Sequence, residues 1–276
     1  MPLGKFQEKV WREGRAHNRD DLPWRFIDDP YAVLVSEVML QQTQVKRVLS
    51  FWPAFLEAFP DLKALAAADT AEVLRAWQGL GYNRRALALQ KCAQVCVADH
   101  GGELPATEEK LRALPGIGPA TAAGVQAFAR NIPGVYLETN VRTVFLHELF
   151  PGEVNVPDKR IAPLVAASCS HDKPREWYYA LLDFGAHLKS QVANPSRRSS
   201  SYSRQSKFEG SHRQKRSFIL KQVLAAPGIE TAEVKAQLDN QEIQAGRARL
   251  SQEDFDALVE ELTAEGFFKK EGTKLG

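Results

Sequence analysis

Apolar side chains recur every three or four positions through much of the first half of the chain. The segments AVLVSEVMLQQTQVKRVLSFWPAFLEAF, AEVLRAWQGL and RRALALQKCAQVCVADH all repeat in this way, which places their apolar residues on one face of an α-helix. Helix-breaking residues separate these segments at Phe59-Pro60, Gly79-Leu80-Gly81, Gly101-Gly102 and Pro115-Gly116. Alternating strand patterns are nearly absent, so we predict an all-α core.

The later part of the chain begins with a segment of little apolar character. Residues 194–217, NPSRRSSSYSRQSKFEGSHRQKRS, are rich in Ser, Arg and Lys, which is typical of a connector or an extended arm. We call them the basic arm. The elements predicted after it are helices at Phe218–Ala226, Thr231–Leu238 and Gln252–Glu265 and a hairpin at Phe267–Gly276. Residues 218–276 therefore resemble a winged helix-turn-helix domain.

Basic residues are concentrated around the arm, although the whole chain is almost neutral. With 36 basic and 34 acidic side chains, the net charge of +2 does not by itself predict nucleic-acid binding. Lys189 to Lys221 contain nine basic residues against one acid, and the residues beyond contain eleven acids against six bases. Arg197, Arg198 and Arg204 are therefore candidate DNA contacts, unless the arm is only a solvated linker. The acidic C-terminal domain suits a protein partner better than DNA.

Cysteine usage and hydropathy restrict the compartment. Cys92, Cys96 and Cys169 form an odd and sparse set, which favours a reducing compartment over a disulfide framework. Neither an apolar run of spanning length nor a signal-peptide pattern is present. We expect a soluble intracellular protein that has no contact with a membrane.

A glycine-rich hairpin is the first candidate site. In the run Leu114–Ala122, LPGIGPATA, Gly116 and Gly118 allow a tight turn with outward backbone N–H groups, and Pro119 can begin the next helix without losing a needed donor. This arrangement suits a DNA phosphate. Phosphate contacts carry no sequence information, so the chemistry must come from other residues.

Glu37 is the first candidate for that chemistry. It lies between Val33 and Leu40 in a strongly apolar helix, where partial desolvation would raise the pKa of its carboxyl group. A carboxylic acid with a raised pKa can act as a general acid. The alternative is an exposed glutamate on an amphipathic helix.

Several motifs together give the chain a family resemblance. They are Leu22-Pro23-Trp24-Arg25, Ser36-Glu37-Val38-Met39-Leu40-Gln41-Gln42-Thr43-Gln44-Val45, Gly79-Leu80-Gly81-Tyr82, Leu114-Pro115-Gly116-Ile117-Gly118 and Asn140-Val141-Arg142. Over about residues 8–193 the chain resembles the helix-hairpin-helix DNA glycosylases, and most of all the MutY-type adenine glycosylases. The resemblance implies a two-lobed core in residues 1–193, with a six-helix lobe at about 29–135 and a second lobe from 1–28 plus 136–193.

The resemblance also implies catalytic roles. Glu37 matches the glutamate that protonates a ring nitrogen of adenine, so that the base leaves as a neutral species. Glu138 occupies the position of the carboxylate that stabilises the positive charge developing on the sugar. The family has aspartate there, and the additional methylene moves the carboxylate by about 1.5 Å. Asn140 matches the residue that positions the attacking water and that carboxylate.

Further residues match the family's base pocket and its DNA-facing surface. Trp24, Arg25 and Glu176 correspond to pocket residues, and a donor with an acceptor suits a purine edge, unless Arg25 instead pairs with an acid. Gln42 and Tyr82 match the residues that fill the gap left by a flipped base, the alternatives being a helix-surface glutamine and a core tyrosine. The remaining predicted DNA contacts are Gln41, Gly116, Gly118 and Thr121, and the carbonyl groups of Leu114–Gly118 are a candidate site for a monovalent cation.

Three further departures from the family matter. Ala120 stands where bifunctional relatives place a Schiff-base lysine, so no β-lyase activity is expected. The iron–sulfur cysteines that follow the Asp-Φ-Gly-Ala segment are missing: Lys189 stands at the first position, and no cysteine follows Cys169. We therefore expect no cluster and hypothesise that the arm replaces its phosphate contacts. Residues 218–276 are too few for the long domain that recognises 8-oxoguanine in relatives.

These observations predict a monofunctional DNA glycosylase of base excision repair. Its expected partner is double-stranded DNA with a mismatch or lesion, and its target is adenine or another purine. The alternatives are a mismatch thymine or uracil glycosylase and a catalytically impaired lesion-binding protein. We expect a cytoplasmic, nucleoid-associated monomer whose C-terminal domain offers a surface to a protein partner.

Overall fold

The structure, a computed structural model, describes all 276 residues and is mostly helical. Its helices are α1 (Leu3–Ala16), α2 (Pro30–Leu40), α3 (Val45–Ala58), α4 (Leu62–Ala67), α5 (Thr70–Trp77), α6 (Arg84–Asp99), α7 (Glu108–Arg112), α8 (Pro119–Arg130), α9 (Thr139–Glu148), α10 (Asp158–Ser168), α11 (Pro174–Gln191), α12 (His212–Ala225), α13 (Thr231–Gln244) and α14 (Gln252–Ala264). The strands are β1 (Ile229–Glu230), β2 (Lys270–Glu271) and β3 (Lys274–Leu275). The prediction of an all-α core is confirmed.

Helices α2–α8 form a first lobe around α2. Eight of the eleven residues of α2 are buried, and α3, α6 and α8 pack against it. Asp29 caps this helix by accepting from the Tyr31 N–H, and Pro30 fills a position that needs no donor. The lobe contains seven helices instead of the predicted six, because the short helices α4 and α7 both form, capped by Asp61 and Thr107.

Helix α1 and helices α9–α11 form a second lobe, although α1 is far from the others in sequence. Helix α11 packs against both α1 and α9. A Cβ atom on Gly185 of α11 would lie only 2.8 Å from the carbonyl carbon of Asn140 on α9, and Gly14 of α1 lies directly against Ala180. Glycine is therefore required where α11 meets α9 at Asn140, a predicted catalytic residue.

The C-terminal domain combines α12–α14 with a small antiparallel sheet. The strand order is β1-β3-β2, with Ile229 opposite Leu275 and Lys270 on the other side of Leu275. Helix α12 packs against α5 of the first lobe. Glu265 at the end of α14 accepts from Arg84 of α6 at 2.5 Å and from Arg216 of α12 at 2.7 Å. The carboxylate thus connects this domain to the core.

The basic arm is more ordered than the sequence indicates. A 3₁₀ helix spans Pro195–Arg198, and the backbone of Val156 forms hydrogen bonds with Arg198 and Ser200. Helix α12 begins at His212 instead of Phe218, because Ser211 caps it by accepting from the Gln214 N–H. Its first turns are polar and not buried, so apolar periodicity could not reveal them. None of the helices combines the length and apolar character needed to cross a bilayer.

Candidate active site

A cavity of about 460 Å³ lies where the two lobes meet, and its size is in the range of ligand pockets. Its walls come from α2, α8, α9, α11 and the segments that precede α2 and α9. Among the lining residues are the three predicted catalytic residues Glu37, Glu138 and Asn140, together with Tyr136, Tyr179 and Lys189. The structure therefore brings the two carboxylates, which are 101 positions apart in the sequence, into one cavity.

Glu37 is held in apolar surroundings on α2. Burial, which is opposed by a hydrogen bond from Tyr136 and assisted by the charge of Glu138, raises the pKa of its carboxyl group to about 8. A Cβ atom on Gly124 of α8 would lie 2.9 Å from the Glu37 carboxyl carbon, so the bare backbone of α8 leaves room for this side chain. Glu37 is therefore mostly protonated at neutral pH.

Glu138 occupies the N-cap of α9 and faces several groups that favour its ionised form. It accepts from the Val141 N–H at 2.9 Å and from the Asn140 N–H. Burial raises the pKa of Glu138 above its ordinary value, and these N–H groups and the charges of Lys189 and Arg142 offset only part of that rise. Asn140 keeps its side-chain oxygen buried without a hydrogen-bond partner, a free acceptor in the wall of the cavity.

Two cavity residues were missed by the sequence analysis. Tyr136 is 5% exposed and donates to Glu37, and its ring packs against Phe128 and Tyr178. Lys189 lies in the last turn of α11; burial lowers the pKa of its amine, and Glu138 opposes that shift. Neither residue belongs to a quoted motif. Lys189 was considered only as the residue in the place of a cluster cysteine.

The predicted base pocket is only partly assembled. Trp24 lines the cavity and packs edge-on against Trp52. Arg25 also lines it, but its guanidinium is 3% exposed and binds both carboxylate oxygens of Asp183 at 2.7 and 2.6 Å, so Asp183 is the acid with which it pairs. Glu176 is a correction: it is exposed and does not line the cavity. It lies in the first turn of α11, one turn before Tyr179, whose ring stacks on Phe128.

The hairpin presents its backbone to solvent. Gly116 and Gly118 are exposed, and Gly116 has a φ of 75° with Ala88 directly behind it. Helix α8 follows with Pro119 in its first position and no side-chain cap, so its first N–H groups remain available to an anion. Thr121 is corrected from a DNA contact to a buried residue, because its hydroxyl accepts from Gln41 at 3.1 Å.

Gln42 and Tyr82 lie in two neighbouring turns with unusual backbone conformations. Their φ angles are 54° and 51°, a left-handed conformation that costs a non-glycine residue about 1–2 kcal/mol. Arg85 joins these turns: its guanidinium donates to the Gln41 carbonyl at 2.6 Å, the Gly81 carbonyl at 2.9 Å and the end of α2. The half-buried guanidinium of Arg85 therefore fixes the two turns relative to each other.

The three arginines predicted as DNA contacts of the arm differ in the structure. Arg197 and Arg204 are exposed. Arg198 is a correction: its guanidinium is turned inward and donates to the backbone carbonyls of Leu146, Phe150 and Glu153. These hydrogen bonds attach the arm to the end of α9, so Arg198 stabilises the fold and does not face DNA.

The cysteines do not fit an iron–sulfur cluster. Cys92 and Cys96 are buried one turn apart on α6, and Cys169 is buried at the end of α10 in the other lobe. The structure contains no group of three or more His, Cys, Asp or Glu side chains placed to hold a metal ion. A four-thiolate cluster therefore has no set of ligands here.

Comparison with known proteins points to one superfamily. Residues 35–161 match the family described as "HhH-GPD superfamily base excision DNA repair protein". The chain is 41% identical over 177 residues to the adenine DNA glycosylase of Mycobacterium tuberculosis, an alignment that covers 62% of this chain and 57% of the relative. It is 42% identical over 173 residues to that of Mycolicibacterium smegmatis, covering 62% and 59%. The chain thus spans less than two thirds of these relatives.

Solved structures share the fold at lower identity. A thermostable thymine-DNA glycosylase aligns with a TM-score of 0.60 at 24% identity, over 67% of this chain and 86% of that one. A non-covalent endonuclease III–DNA complex aligns with a TM-score of 0.57 at 17% identity, with the same coverage. Over residues 35–161 the chain is thus similar to the HhH-GPD superfamily of base excision DNA repair proteins, and its two lobes have the fold of these solved structures.

Proposed function

We propose that this protein is a monofunctional DNA glycosylase that hydrolyses the N-glycosidic bond of adenine, or of another purine, in mispaired or damaged DNA. The observation that carries the proposal is the meeting of two buried carboxyl groups, Glu37 and Glu138, in one cavity, where only Glu138 faces backbone N–H groups and cationic side chains that favour its ionised form. Two carboxyl groups in such different surroundings are the usual basis of an acid and a charge-stabilising partner. The adenine specificity of the mycobacterial relatives favours adenine as the base.

Glu37 is the acid in this proposal. With a pKa raised to about 8 by burial, it carries a proton at neutral pH and donates it to a ring nitrogen of the flipped base. The base then leaves as a neutral species. Tyr136 holds the carboxyl group in place through its hydrogen bond, and Gly124 leaves the space that the group needs.

Glu138 is the stabilising carboxylate. Departure of the base builds positive charge on the sugar, and an ionised carboxylate in the cavity lowers the energy of that state. The N–H groups at the start of α9 and the Lys189 ammonium favour ionised Glu138. The free side-chain oxygen of Asn140 accepts a hydrogen bond from the attacking water. The water oxygen then bonds to the sugar carbon that the base has left, and the released proton returns to the Glu37 carboxylate formed in the first step.

The DNA-facing surface follows from the same proposal. The turn at Gly116–Gly118 and the start of α8 bind a phosphate, with a monovalent cation on the hairpin carbonyls, while exposed Arg197 and Arg204 contact the backbone further along. Gln42 and Tyr82 fill the gap in the duplex. Double-stranded DNA with a mismatch or lesion is the proposed partner, which places the protein at the nucleoid, and the C-terminal domain is left for a protein partner.

The test is single-turnover incubation with duplexes that contain A·G, A·8-oxoguanine, I·T, U·G and T·G, followed by alkaline cleavage of abasic sites. We expect product from the adenine duplexes. Product from only U·G or T·G would show that the target is a mismatched pyrimidine instead of adenine. Binding without product from any duplex would refute the proposed glycosylase activity. Strand cleavage without alkali, if lost in Lys189→Ala, would refute the monofunctional assignment, since Lys189 is the lysine that lines the cavity.

Glu138→Gln is expected to lower the excision rate by about 10²–10³-fold, the range for removing one electrostatic contact to a transition state. Glutamine keeps the length of the side chain and can still accept from the Val141 N–H, so the N-cap of α9 should persist. The measurement is single-turnover excision together with the melting temperature. Glu153→Gln is the control, because Glu153 is exposed and pairs with Arg160 outside the cavity. Equal rates for both variants would remove Glu138 from the mechanism.

Arg85→Lys is expected to slow excision by roughly tenfold to a hundredfold, since an ammonium group cannot reach both turns and small misplacements cost rate on this scale. The turns that carry Gln42 and Tyr82 would then no longer be fixed relative to each other. The neighbouring Arg84→Lys is the matched control, because Arg84 is exposed and pairs with Glu265. Wild-type kinetics in Arg85→Lys would show that the turns do not depend on this cation.

A further inference from the structure

The basic arm makes specific contacts with the two residues predicted to enter the duplex. Gln205 donates through its side-chain amide to Gln42 Oε1 at 2.8 Å and to the Tyr82 hydroxyl. Arg213, in the first turn of α12, donates to the same hydroxyl at 2.7 Å and lies over the Tyr82 ring at 5.6 Å. Four polar side chains from three separate parts of the chain thus meet at one point. We call Gln42, Tyr82, Gln205 and Arg213 the polar cluster.

The hydrogen bonds fix which atoms of the cluster remain free. The side-chain nitrogen of Gln205 donates to two acceptors, and the side-chain oxygen of Gln42 is taken as one of them. Gln205 Oε1 and Gln42 Nε2 make no hydrogen bond within the protein, and both residues are exposed. The Gln205 amide thus keeps an unpaired acceptor and the Gln42 amide an unpaired donor, on two exposed side chains that are joined by one hydrogen bond. Such a pair matches the hydrogen-bonding edge of a nucleobase.

The cluster is built as a surface site and does not bury the residues it touches. Tyr82 remains 36% exposed, and the arm contacts the polar ends of Gln42 and Tyr82 and, through Arg213, one face of the Tyr82 ring. Arg213 also donates to the carbonyl and hydroxyl of Ser206 at 2.8 and 3.2 Å, which fixes the arm beside Tyr82. Arg213 is therefore a positioning residue, and Gln205 is the arm residue with a free group.

We propose that the polar cluster binds the base left unpaired opposite the extruded nucleotide, and that Gln205 helps to select that base. This inference rests on the proposed function, because it takes Gln42 and Tyr82 to be the residues that enter the duplex. Gln42 Nε2 can donate to O6 of guanine while Gln205 Oε1 accepts from its N1–H, a two-point contact that adenine cannot match in this orientation. The arm thus supplies a base-reading group beside Gln42 and Tyr82.

The test measures affinity instead of excision. Duplexes carry a tetrahydrofuran abasic analogue opposite G, 8-oxoguanine, C, A or T, and Kd is determined for the full chain. The wild type should favour guanine over adenine, and Gln205→Ala should reduce that ratio by about fivefold or more, since a two-point base contact discriminates on this scale. Arg213→Lys keeps the positive charge but loses the guanidinium that donates to both Tyr82 and Ser206. This variant should reduce the guanine-over-adenine affinity ratio by a similar factor. Arg204→Ala is the control: it should weaken binding to all duplexes alike.

The outcomes separate this inference from the proposed function. An unchanged ratio in Gln205→Ala, or equal wild-type affinity for all opposing bases, would overturn the inference whether or not excision occurs. Tighter binding of Gln205→Ala to every duplex would overturn it too, because the arm would then be a cover over Tyr82. If no duplex is cut but the guanine-over-adenine affinity ratio still falls in Gln205→Ala, the proposed glycosylase activity is refuted and the inferred base-binding site stands.

Discussion

Glu37→Gln is expected to lower the single-turnover rate by about 10²–10⁴-fold, the usual contribution of a general acid. The same substitution should raise the melting temperature at alkaline pH. Because burial raises the pKa of Glu37 to about 8, the folded protein binds a proton there that the unfolded chain has already released. Stability is therefore lost as the pH rises from the ordinary carboxyl range to about 8, and the neutral glutamine avoids this loss.

The expected measurements are a rate–pH profile and melting curves at two pH values. Wild-type excision should fall as the pH rises through about 8, where Glu37 loses its proton. The two proteins should melt at similar temperatures at about pH 4.5, and Glu37→Gln should melt several degrees higher at pH 8.5. A Glu37→Gln protein as active as the wild type would remove the acid from the mechanism. A lower melting temperature at pH 8.5 would contradict the buried, protonated state.

Asp183→Ala should produce the largest loss of stability, about 3–5 kcal/mol, because it leaves the buried guanidinium of Arg25 without a counter-ion. Asp183 is 2% exposed and also binds Arg19 at 2.6 Å. It therefore connects the segment between α1 and α2 to the middle of α11, beside the cavity. A fall in melting temperature of at least about 6 °C is expected. Excision should fall as well, since Trp24 adjoins Arg25.

The exposed Asp172→Ala is the control for this variant. A second variant, Arg25→Met combined with Asp183→Leu, removes both charges and should recover most of the lost stability, because the cost comes from an unpaired buried charge. Failure of the double variant to recover stability would mean that Asp183 acts through something other than charge pairing. Loss of less than 1 °C in Asp183→Ala would contradict the prediction directly.

Residues with local signals were predictable from the sequence. The helical core follows from apolar periodicity, and Glu37 was found because a charge in such an apolar helix is unusual. Gly116 and Gly118 were found because a tight turn before Pro119 has its own sequence pattern. Each of these signals is contained in a segment of about ten residues, so each can be recognised without knowledge of the tertiary structure.

The residues that were missed or misplaced depend on contacts between distant parts of the chain. Arg25 meets Asp183 across 158 positions, and Gln205 meets Gln42 across 163. Arg198 looked like a DNA contact because its neighbours are basic, yet it binds carbonyl groups at the end of α9. Glu176 was assigned by resemblance alone. Which side of α11 faces the cavity, and how far the cavity extends, are set by the packing of the two lobes.

The left-handed backbone of Gln42 and Tyr82 has a consequence for how DNA is searched. Both residues already hold this conformation in the absence of DNA, and Arg85 secures it from behind. If Gln42 and Tyr82 enter the duplex as proposed, their entry requires rotation of side chains, which takes picoseconds to nanoseconds, instead of loop rearrangement over nanoseconds to microseconds. A protein that slides along DNA can therefore probe each base pair within the short time it spends there. Because folding already places both turns in this strained conformation, inspection of a base pair by these residues would need no backbone rearrangement.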